Sequence, residues 1–330
     1  MSTSRLTTAI EDGAIELPDA GRIAVFGPRM DMDLTGLPKD RVHVIQGFRP
    51  DHDAFAAGGY DAGTAAAGPY AAAIVCIPRA KAQARAMIAQ ASGLVAGGPV
   101  IADGQKTDGI ESLLKDVRKR VDVGTVISKA HGKLFAFRGG DFSDWAADPA
   151  GQVIEDGFIT KPGVFSADGV DPGSAALAAA LPKDLPKRVA DLGAGWGFLS
   201  QAILARKGVA TLHLVEADHA ALDCARRNIT DPRAQFHWAD ALDFHLDTPL
   251  DAVVSNPPFH TTRSADPNLG RGFIAAAAGM LKPSGRLYLV ANRHLPYEAE
   301  ALKLFHDVRE MAGDRSFKVL LAAKPRRLRP

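Results

Sequence analysis

The chain has 330 residues, of which 46% are hydrophobic and 23% are charged, a composition that excludes a disordered, fibrous or small disulfide-stapled protein. Lysine and arginine total 39 against 38 aspartate and glutamate, a net charge of +1, which argues against a protein that binds nucleic acid by blanket neutralisation of phosphates. Two cysteines without metal-ligand spacing, no apolar run of about 18 residues and no apolar signal core predict a cytoplasmic protein with no bound metal and no membrane partner.

Short β-branched segments alternate with alanine-rich helical segments along the whole chain, which indicates βαβ units around a parallel sheet. In the first half the pattern predicts strands at 22–26, 42–45, 73–77, 100–102, 125–128 and 134–137, and helices at 79–94 and 109–120. A stretch rich in Gly, Asp and Pro, residues 139–151, is typical of a boundary. We therefore expect a first domain of residues 1–148 and a second of residues 149–330.

The second half has the same alternation, with an extra pair of strands at its end. Strands are predicted at 188–191, 211–216, 235–238, 252–255 and 286–291. Residues 307–311 and 317–322 flank a Gly-Asp-Arg turn, which favours an antiparallel hairpin. The predicted fold class is α/β, a doubly wound, mostly parallel sheet with one reversed strand.

Two segments of the chain echo each other. Ala73–Pro78 and Ala252–Pro257 are both strands that end in proline, and each is followed by an alanine-rich helix. The echo is compatible with the general likeness of α/β folds. It is equally compatible with a duplicated domain whose first copy lost its site, since Ile77 stands where the second copy has Asn256.

A glycine-rich loop joins a short apolar strand to a helix that begins near Phe198. Gly193, Gly195 and Gly197 allow a tight turn and a close approach to a ligand, and the helix N-terminus favours an anion such as a carboxylate. The third glycine comes one residue too early for the dinucleotide fingerprint, and Asp191 closes the strand. The loop therefore favours a ligand without a pyrophosphate.

Acidic residues end three consecutive strands. Glu216 follows the middle glycine at the distance where an acid accepts hydrogen bonds from ribose hydroxyls, with Asp218 as the adjacent alternative. Asp240 ends the next strand, where its side chain can accept from an adenine amino group. Each acid alone is typical of a turn or a helix cap, but together with Asp191 they predict one cleft at the carboxyl edge of the sheet.

The fourth strand ends in Asn256-Pro-Pro-Phe-His260. Two prolines fix the backbone, so the Asn256 side chain and the Pro257 carbonyl can face the cleft as hydrogen-bond acceptors. Such a pair can bind both hydrogens of a planar amino group, and Phe259 offers a face for stacking a ring. His260 is compatible with either substrate contact or a structural hydrogen bond.

These motifs together resemble the class I S-adenosylmethionine-dependent methyltransferases, and more narrowly the RsmC type of 16S ribosomal RNA guanine-N2 methyltransferase. The resemblance covers about residues 158 to 323. It rests on the segments Lys161–Ser166, Asp168–Ser174, Asp191–Gly197, Asn256–His260, Val290–Asn292 and Phe317–Val319.

The resemblance implies two tandem Rossmann-like methyltransferase domains, the first degenerate and serving folding or RNA docking. Asp103–Ile110 and His131–Phe135 are also similar to that first domain. It implies S-adenosyl-L-methionine as cofactor, and ribosomal RNA or the small ribosomal subunit as partner; the oligomeric state stays open. Asp171 and Ser174 belong to the entry motif, where a helix-cap role competes with cofactor contact.

Individual site residues follow from the resemblance and the motifs. Catalytic roles are predicted for Asn256, Pro257 and Phe259, and substrate contacts for Lys161, Pro258 and His260. Cofactor contacts are predicted for Asp191, Gly193, Ala194, Gly195, Gly197, Glu216, Ala217, Asp240, Ala241, Asn256 and Phe165, with the segment from Lys161 to Phe165 closing over the cofactor.

Other functions remain as alternatives. A methyltransferase acting on a large-subunit ribosomal RNA guanine, a DNA base or a protein glutamine would use a similar Asn-Pro-Pro motif. The glutamine enzymes usually have Tyr after the prolines, and the DNA enzymes lack the segment 161–174. A nicotinamide-dependent oxidoreductase is disfavoured by the glycine spacing, and a noncatalytic RNA-binding module is an alternative for the first domain only.

Overall fold

The computed structural model describes residues 5–154, 156–258 and 267–326. The chain divides into two compact units, Met1–Gly151 and Gln152–Pro330. In the described residues each unit is built on a seven-stranded, mostly parallel sheet with helices. The α/β fold class predicted from the sequence is therefore confirmed.

The first unit alternates strands and helices from its N-terminus. Its helices are α1 (Arg5–Glu11), α2 (Arg49–Ala57), α3 (Lys81–Leu94) and α4 (Ile110–Arg118). Its strands are β1 (Ile23–Phe26), β2 (Val42–Ile45), β3 (Asp61–Gly63), β4 (Ala72–Cys76), β5 (Val100–Gln105), β6 (Val123–Lys129) and β7 (Gly132–Phe137).

The second unit opens with a small two-stranded sheet and continues with the larger one. Its helices are α5 (Pro172–Ala180), α6 (Phe198–Leu204), α7 (His219–Asn228), α8 (Pro267–Met280) and α9 (Tyr297–Leu304). Its strands are β8 (Gln152–Val153), β9 (Ile159–Thr160), β10 (Arg188–Leu192), β11 (Thr211–Glu216), β12 (Ala234–Trp238), β13 (Leu250–Ser255), β14 (Leu281–Asn292), β15 (Phe305–Gly313) and β16 (Phe317–Pro325).

The two large sheets have the same strand order. The first runs β3-β2-β1-β4-β5-β7-β6 and the second β12-β11-β10-β13-β14-β16-β15. In each, one strand near the edge, β7 or β16, is antiparallel to both neighbours. The predicted terminal hairpin is thereby confirmed. An identical order in both units is what a duplicated domain requires.

Backbone contacts at matching positions agree with duplication. Gly27 follows β1 and donates its N–H to the Ile45 carbonyl at 2.8 Å, while Gly193 follows β10 and donates to the Val215 carbonyl at 2.9 Å. Both glycines have positive φ angles, 62° and 75°. The first unit therefore keeps the turn that follows the first strand although it has no glycine-rich loop.

The core of the second unit lies on both sides of its sheet. Ala190 and Leu192 belong to one buried apolar cluster and Val189 belongs to another. Successive side chains of a strand point to opposite faces, so β10 buries apolar groups on both. Such a strand must lie inside the sheet, between β11 and β13, and its carboxyl end is where a crevice forms.

The sequence predicted β2 and β11 without error and the other central strands within five residues at each end, and it missed several short elements. The missed elements are α1, α2, β3, β8 and β9. Those strands are only two or three residues long, too short for an alternating pattern, and α2 begins with an Arg-Pro pair more typical of a turn. Their conformation depends on neighbours distant in sequence.

Candidate active site

Two neighbouring strands bring the glycine-rich loop and Asn256 together. β10 and β13 pair in parallel with Leu192 opposite Ser255, and the Ser255 hydroxyl donates to the Leu192 carbonyl at 2.7 Å. Gly193 and Asn256 follow these residues directly, so both lie at the carboxyl edge of the sheet. A cavity opens there, lined by Phe165, Ser166, Asp171, Ser174, Gly193, Ala194, Gly195, Trp196, Phe198, Leu199 and Asn256.

Three positive φ angles shape the loop. Gly193, Gly195 and Gly197 have φ values of 75°, 55° and 99°, which L-residues with side chains rarely adopt. A Cβ on Gly193 would lie 3.3 Å from the Phe273 ring, whereas a Cβ on Gly195 would meet no described atom within 4 Å. The space beside Gly195 therefore belongs to the cavity and is available to a ligand.

Glu216 holds the loop from the end of β11. Its two carboxylate oxygens accept from the backbone N–H of Gly195 at 2.8 Å and of Asp218 at 2.7 Å. Burial raises the pKa of Glu216 to about 7, against the lowering effect of these hydrogen bonds. The backbone N–H of Ala217 also donates to this carboxylate, which leaves about one of its four lone-pair sites open to a hydroxyl of a ligand.

The other two strand-end acids make different hydrogen bonds. Asp191 is completely buried, accepts from the Ser200 hydroxyl at 2.7 Å, and has its pKa raised to about 7 by burial. Asp240 accepts from the backbone N–H of Leu242 at 2.9 Å, as an acid at a turn does. Among the hydrogen bonds of the described residues, Glu216 is the acid that bonds to the glycine loop, and the cofactor contacts of Asp191 and Asp240 stay predictions.

Two alanines predicted to contact the cofactor also lie outside the cavity lining. Ala241 is buried in the apolar core beneath the sheet edge. The Ala217 carbonyl accepts from the Trp238 indole N–H at 2.9 Å. Spacing alone located these positions, and their cofactor contacts stay predictions.

The Asn256 side chain is held on one side and open on the other. Its Nδ2 donates to Oδ2 of Asp171 at 2.9 Å and to Oγ of Ser174 at 2.8 Å. Its Oδ1 is buried and has no hydrogen-bond partner among the described residues. An unsatisfied buried acceptor is uncommon and costs stability, so Oδ1 is ready to accept a hydrogen from a ligand.

The remaining residues of the Asn-Pro-Pro motif are placed in part. Pro257 is buried and Pro258 is exposed. Phe259 and His260, predicted to stack the substrate and to contact it, lie outside the described residues, so their roles stay predictions.

The entry motif supplies both cavity walls and a helix cap. Asp171 is the N-cap of α5 and accepts from the backbone N–H of Ser174 at 2.7 Å, so the predicted cap role is present, and both residues also line the cavity. Phe165 lines the cavity with 59% of its surface exposed. Lys161 is half-buried near Cys224. Burial raises the pKa of the Cys224 thiol, and the positive charge of Lys161 lowers it by a smaller amount.

Two residues that sequence reasoning missed fasten the entry segment to the glycine loop. The Trp196 indole N–H donates to the Phe165 carbonyl at 2.9 Å. Asn228 donates to the carbonyls of Ile159 and Trp196 and accepts from the Ile159 N–H, all at 2.8–2.9 Å. A tryptophan inside a glycine-rich loop was the one available signal, because a large aromatic residue there must pack against something.

Similarity to known proteins agrees with this geometry. Residues 155–321 match the methyltransferase small domain family. Ribosomal RNA small subunit methyltransferase C of Hahella chejuensis is 31% identical over 234 residues, which are 67% of this chain and 68% of the relative. Ribosomal RNA large subunit methyltransferase G of Pseudomonas syringae is 36% identical over 166 residues, which are 49% of this chain and 44% of the relative.

Among solved structures, the 16S rRNA N2-guanine methyltransferase RsmC of T. thermophilus, in complex with AdoMet and guanosine, has a TM-score of 0.78 and 25% identity. That comparison covers 97% of this chain and 92% of the other. The chain spans less than half the length of the large-subunit relatives it matches. These similarities confirm the resemblance that the sequence motifs indicated.

The described residues contain no group of three or more His, Cys, Asp or Glu side chains arranged to hold a metal ion. In the same ranges, every helix is too short or too polar to cross a membrane.

Proposed function

Because the chain belongs to the methyltransferase small domain family, we propose that it transfers a methyl group from S-adenosylmethionine to the exocyclic N2 of a guanosine in 16S ribosomal RNA. The observation that carries this proposal is the buried, unpartnered Oδ1 of Asn256 beside the glycine-rich loop. An acceptor in that position suits an amino group, which brings two hydrogens and a nucleophilic lone pair.

The residues of the cavity fit S-adenosylmethionine. The open space beside Gly195 would admit the methionine portion of the cofactor close to the backbone. The N-terminus of α6 favours the carboxylate of that portion. Glu216 offers an acceptor lone pair for a ribose hydroxyl at the end of the neighbouring strand. When bound, the cofactor supplies an electrophilic methyl group on a sulfonium.

The chain's own contribution to the reaction is orientation. Asn256 Oδ1 and the Pro257 carbonyl accept the two N2 hydrogens and aim the nitrogen lone pair at the methyl carbon. S-adenosylmethionine held beside the glycine loop would supply the methyl carbon to this lone pair, and its sulfur would keep the electron pair of the former C–S bond. The amine becomes acidic as its bond to carbon forms, so the proton leaves to water without a dedicated base.

The proposed substrate is ribosomal RNA in the cytoplasm, and the small subunit is favoured over the large one. The small-subunit relative and the RsmC structure align with both units of the chain, whereas the large-subunit relatives align with about half of it. The first unit, whose sheet lacks a glycine-rich loop, serves folding and RNA docking.

A groove on the first unit supports docking. We call it the basic groove: it is lined by Lys106, Glu111 and residues 128–133, including Lys129, His131 and Lys133. It joins the end of β5 to the β6–β7 turn, where Ala130 and His131 have positive φ angles. Three lysines against one glutamate suit a phosphate backbone, which proteins contact mainly through such side chains.

The test is methyl transfer by the full chain to 16S ribosomal RNA and to 30S subunits from a strain lacking the protein, followed by mass-spectrometric mapping of methylated guanosines. We expect N2-methylguanosine in the small-subunit RNA. Asn256→Ala should lower the rate by about 100-fold or more while leaving the Kd for S-adenosylhomocysteine within about 2-fold. Asn268→Ala, at an exposed asparagine on α8, is the matched control and should retain full activity.

Two results would overturn the proposal. One is undiminished transfer by Asn256→Ala, and the other is methylation confined to a different substrate. A product found only in 23S ribosomal RNA would point to the large-subunit alternative.

A further inference from the structure

The orientation of the Asn256 amide is fixed by chemistry as well as by packing. An asparagine amide can turn by half a rotation and exchange its oxygen with its NH2 group. Oδ2 of Asp171 acts as an acceptor, because it also accepts from the backbone N–H of Ser174, so the NH2 group and not the oxygen of the amide faces it. The amide oxygen is then obliged to face the other way, where it is buried without a described partner.

One turn of helix supplies both groups that hold the NH2. Asp171 is the N-cap of α5 and Ser174 is its third helical residue, and both are side-chain partners of Nδ2. A single oxygen, Oδ2 of Asp171, accepts from the Ser174 N–H and from Asn256 Nδ2. The cap bond therefore fixes the carboxylate that in turn fixes the amide.

The helix turn has little freedom to move. Gly173 is buried, and a Cβ there would lie 3.1 Å from Oδ2 of Asp171 and 3.2 Å from the Phe317 ring of β16. The turn is thus packed between the sheet and the carboxylate. On the other side, Asn256 precedes two prolines, which restrict its own backbone.

We propose that Asp171 and Ser174 are positioning residues for methyl transfer, holding the Asn256 amide so that its oxygen, and never its NH2 group, faces the target amine. The inference rests on the proposed function and adds these two residues to it. Without them the Asn256 amide can turn so that its NH2 group faces the target amine. Two hydrogen-bond donors then face each other, which repels the amine and directs its lone pair away from the methyl carbon.

The variants separate positioning from helix capping. Asp171→Ser keeps a good N-cap residue, but its shorter side chain cannot hold the amide. Ser174→Ala removes the second acceptor. Asp171→Asn is the conservative rescue, because its amide oxygen can take both bonds that Oδ2 makes.

The measurements are kcat and KM for methylation of 30S subunits, the Kd for S-adenosylhomocysteine and the thermal midpoint. We expect the Asp171→Ser/Ser174→Ala double variant to lose about 100-fold in kcat while KM and Kd change less than about 3-fold. Asp171→Asn should recover most of that loss.

Three outcomes overturn the inference. If the double variant keeps its kcat while Asn256→Ala is inactive, Asp171 and Ser174 do not position the amide and the proposed function stands. If Kd rises by the same factor as kcat falls, the two residues contact the cofactor instead. If Asp171→Asn is as slow as the double variant at an unchanged thermal midpoint, charge and not orientation is what Asp171 supplies. Full activity of Asn256→Ala would sink the proposed function itself.

Discussion

Gly195 lacks a side chain at a point where the glycine loop lines the cavity. A Cβ there would meet no described atom within 4 Å, so an alanine would be tolerated by the protein's own packing. It would occupy space that the cofactor needs and would strain a φ angle of 55° by about 1–2 kcal/mol. We expect Gly195→Ala to fold and to bind S-adenosylhomocysteine at least about 10-fold more weakly, as measured by calorimetric titration.

The control for backbone strain is Gly139→Ala. Gly139 has a φ of 66° and open space around its Cβ direction, but it lies in the first unit. It should lose a similar amount of thermal stability and bind the cofactor product normally. Equal affinity of the Gly195→Ala variant and the parent chain would show that the cofactor does not pass over this loop.

Some residues of the candidate site could be predicted from the sequence, but the contacts between them could not. The sequence indicated four site residues because each lies at or just after the end of a strand, where the local residue pattern is informative: Gly193, Gly195, Glu216 and Asn256. The bond from Asn256 to Asp171 joins residues 85 positions apart, and no local pattern encodes it. The bond from Ser200 to Asp191 was not predicted either, because a buried supporting acid and a ligand-binding acid have the same spacing from the glycines; the cofactor contact of Asp191 stays a prediction.

At the scale of elements, two adjacent strands carry a pair of histidines. His213 of β11 and His237 of β12 approach to 3.0 Å between Nδ1 and Nε2, and the His237 ring packs against Phe244. Burial lowers the pKa of His213 to about 4, with smaller contributions from His237 and Arg188. Both histidines are therefore neutral in the folded unit at pH 7.

This pair predicts acid sensitivity of the second unit. Between pH 6.5 and about 4 the unfolded chain binds a proton at His213 that the folded chain does not, so the free energy of unfolding falls as the pH falls through that window. The loss is about 3 kcal/mol at most, and it is absent above pH 6.5. His213→Leu should lack this loss, measured as the urea midpoint of the variant relative to the parent chain at pH 7 and pH 4.5.

Comparing variant with parent is necessary because Asp191 and Glu216 act in the opposite direction. Burial raises their pKa values to about 7, so each adds stability as the pH falls. His245→Leu, at an exposed histidine nearby, is the control and should follow the parent chain at both pH values. The same pH response in His213→Leu and the parent would rule out His213 as the source of acid sensitivity.

Because the two units share one strand order, residues at equivalent strand ends can be compared between them. Gln46 follows β2 where Glu216 ends β11, and its Oε1 accepts from the N–H two residues on, as Oε1 of Glu216 does. Its Nε2 donates to the Pro28 carbonyl at 2.7 Å, so a neutral amide occupies the place of Glu216, the acid that we propose for ribose binding. The strand registers also place Cys76, and not Ile77 as the sequence echo indicated, at the position of Asn256, because Phe26 pairs with Val75 as Leu192 pairs with Ser255. A thiol in place of the amide supports a first unit without cofactor chemistry.

A unit that keeps its fold without a cofactor site can serve RNA binding. Because the net charge of the chain is only +1, its affinity for RNA must come from local clusters of basic side chains. Lys106 and Lys129 are exposed in the basic groove. We expect Lys106→Glu and Lys129→Glu each to weaken binding of 16S ribosomal RNA and to reduce the slope of log affinity against log salt by about 1 for each phosphate that the variant no longer neutralises. The Kd for S-adenosylhomocysteine should not change.

The matched control is Lys39→Glu, an exposed lysine of the same unit that does not line the groove. It makes the same change in net charge, so long-range electrostatics alone would weaken RNA binding equally in all three variants. A groove that contacts phosphate predicts a reduced salt slope only for Lys106→Glu and Lys129→Glu. Filter binding across a series of salt concentrations measures it, and equal slopes in the parent and all variants would show that RNA docks elsewhere.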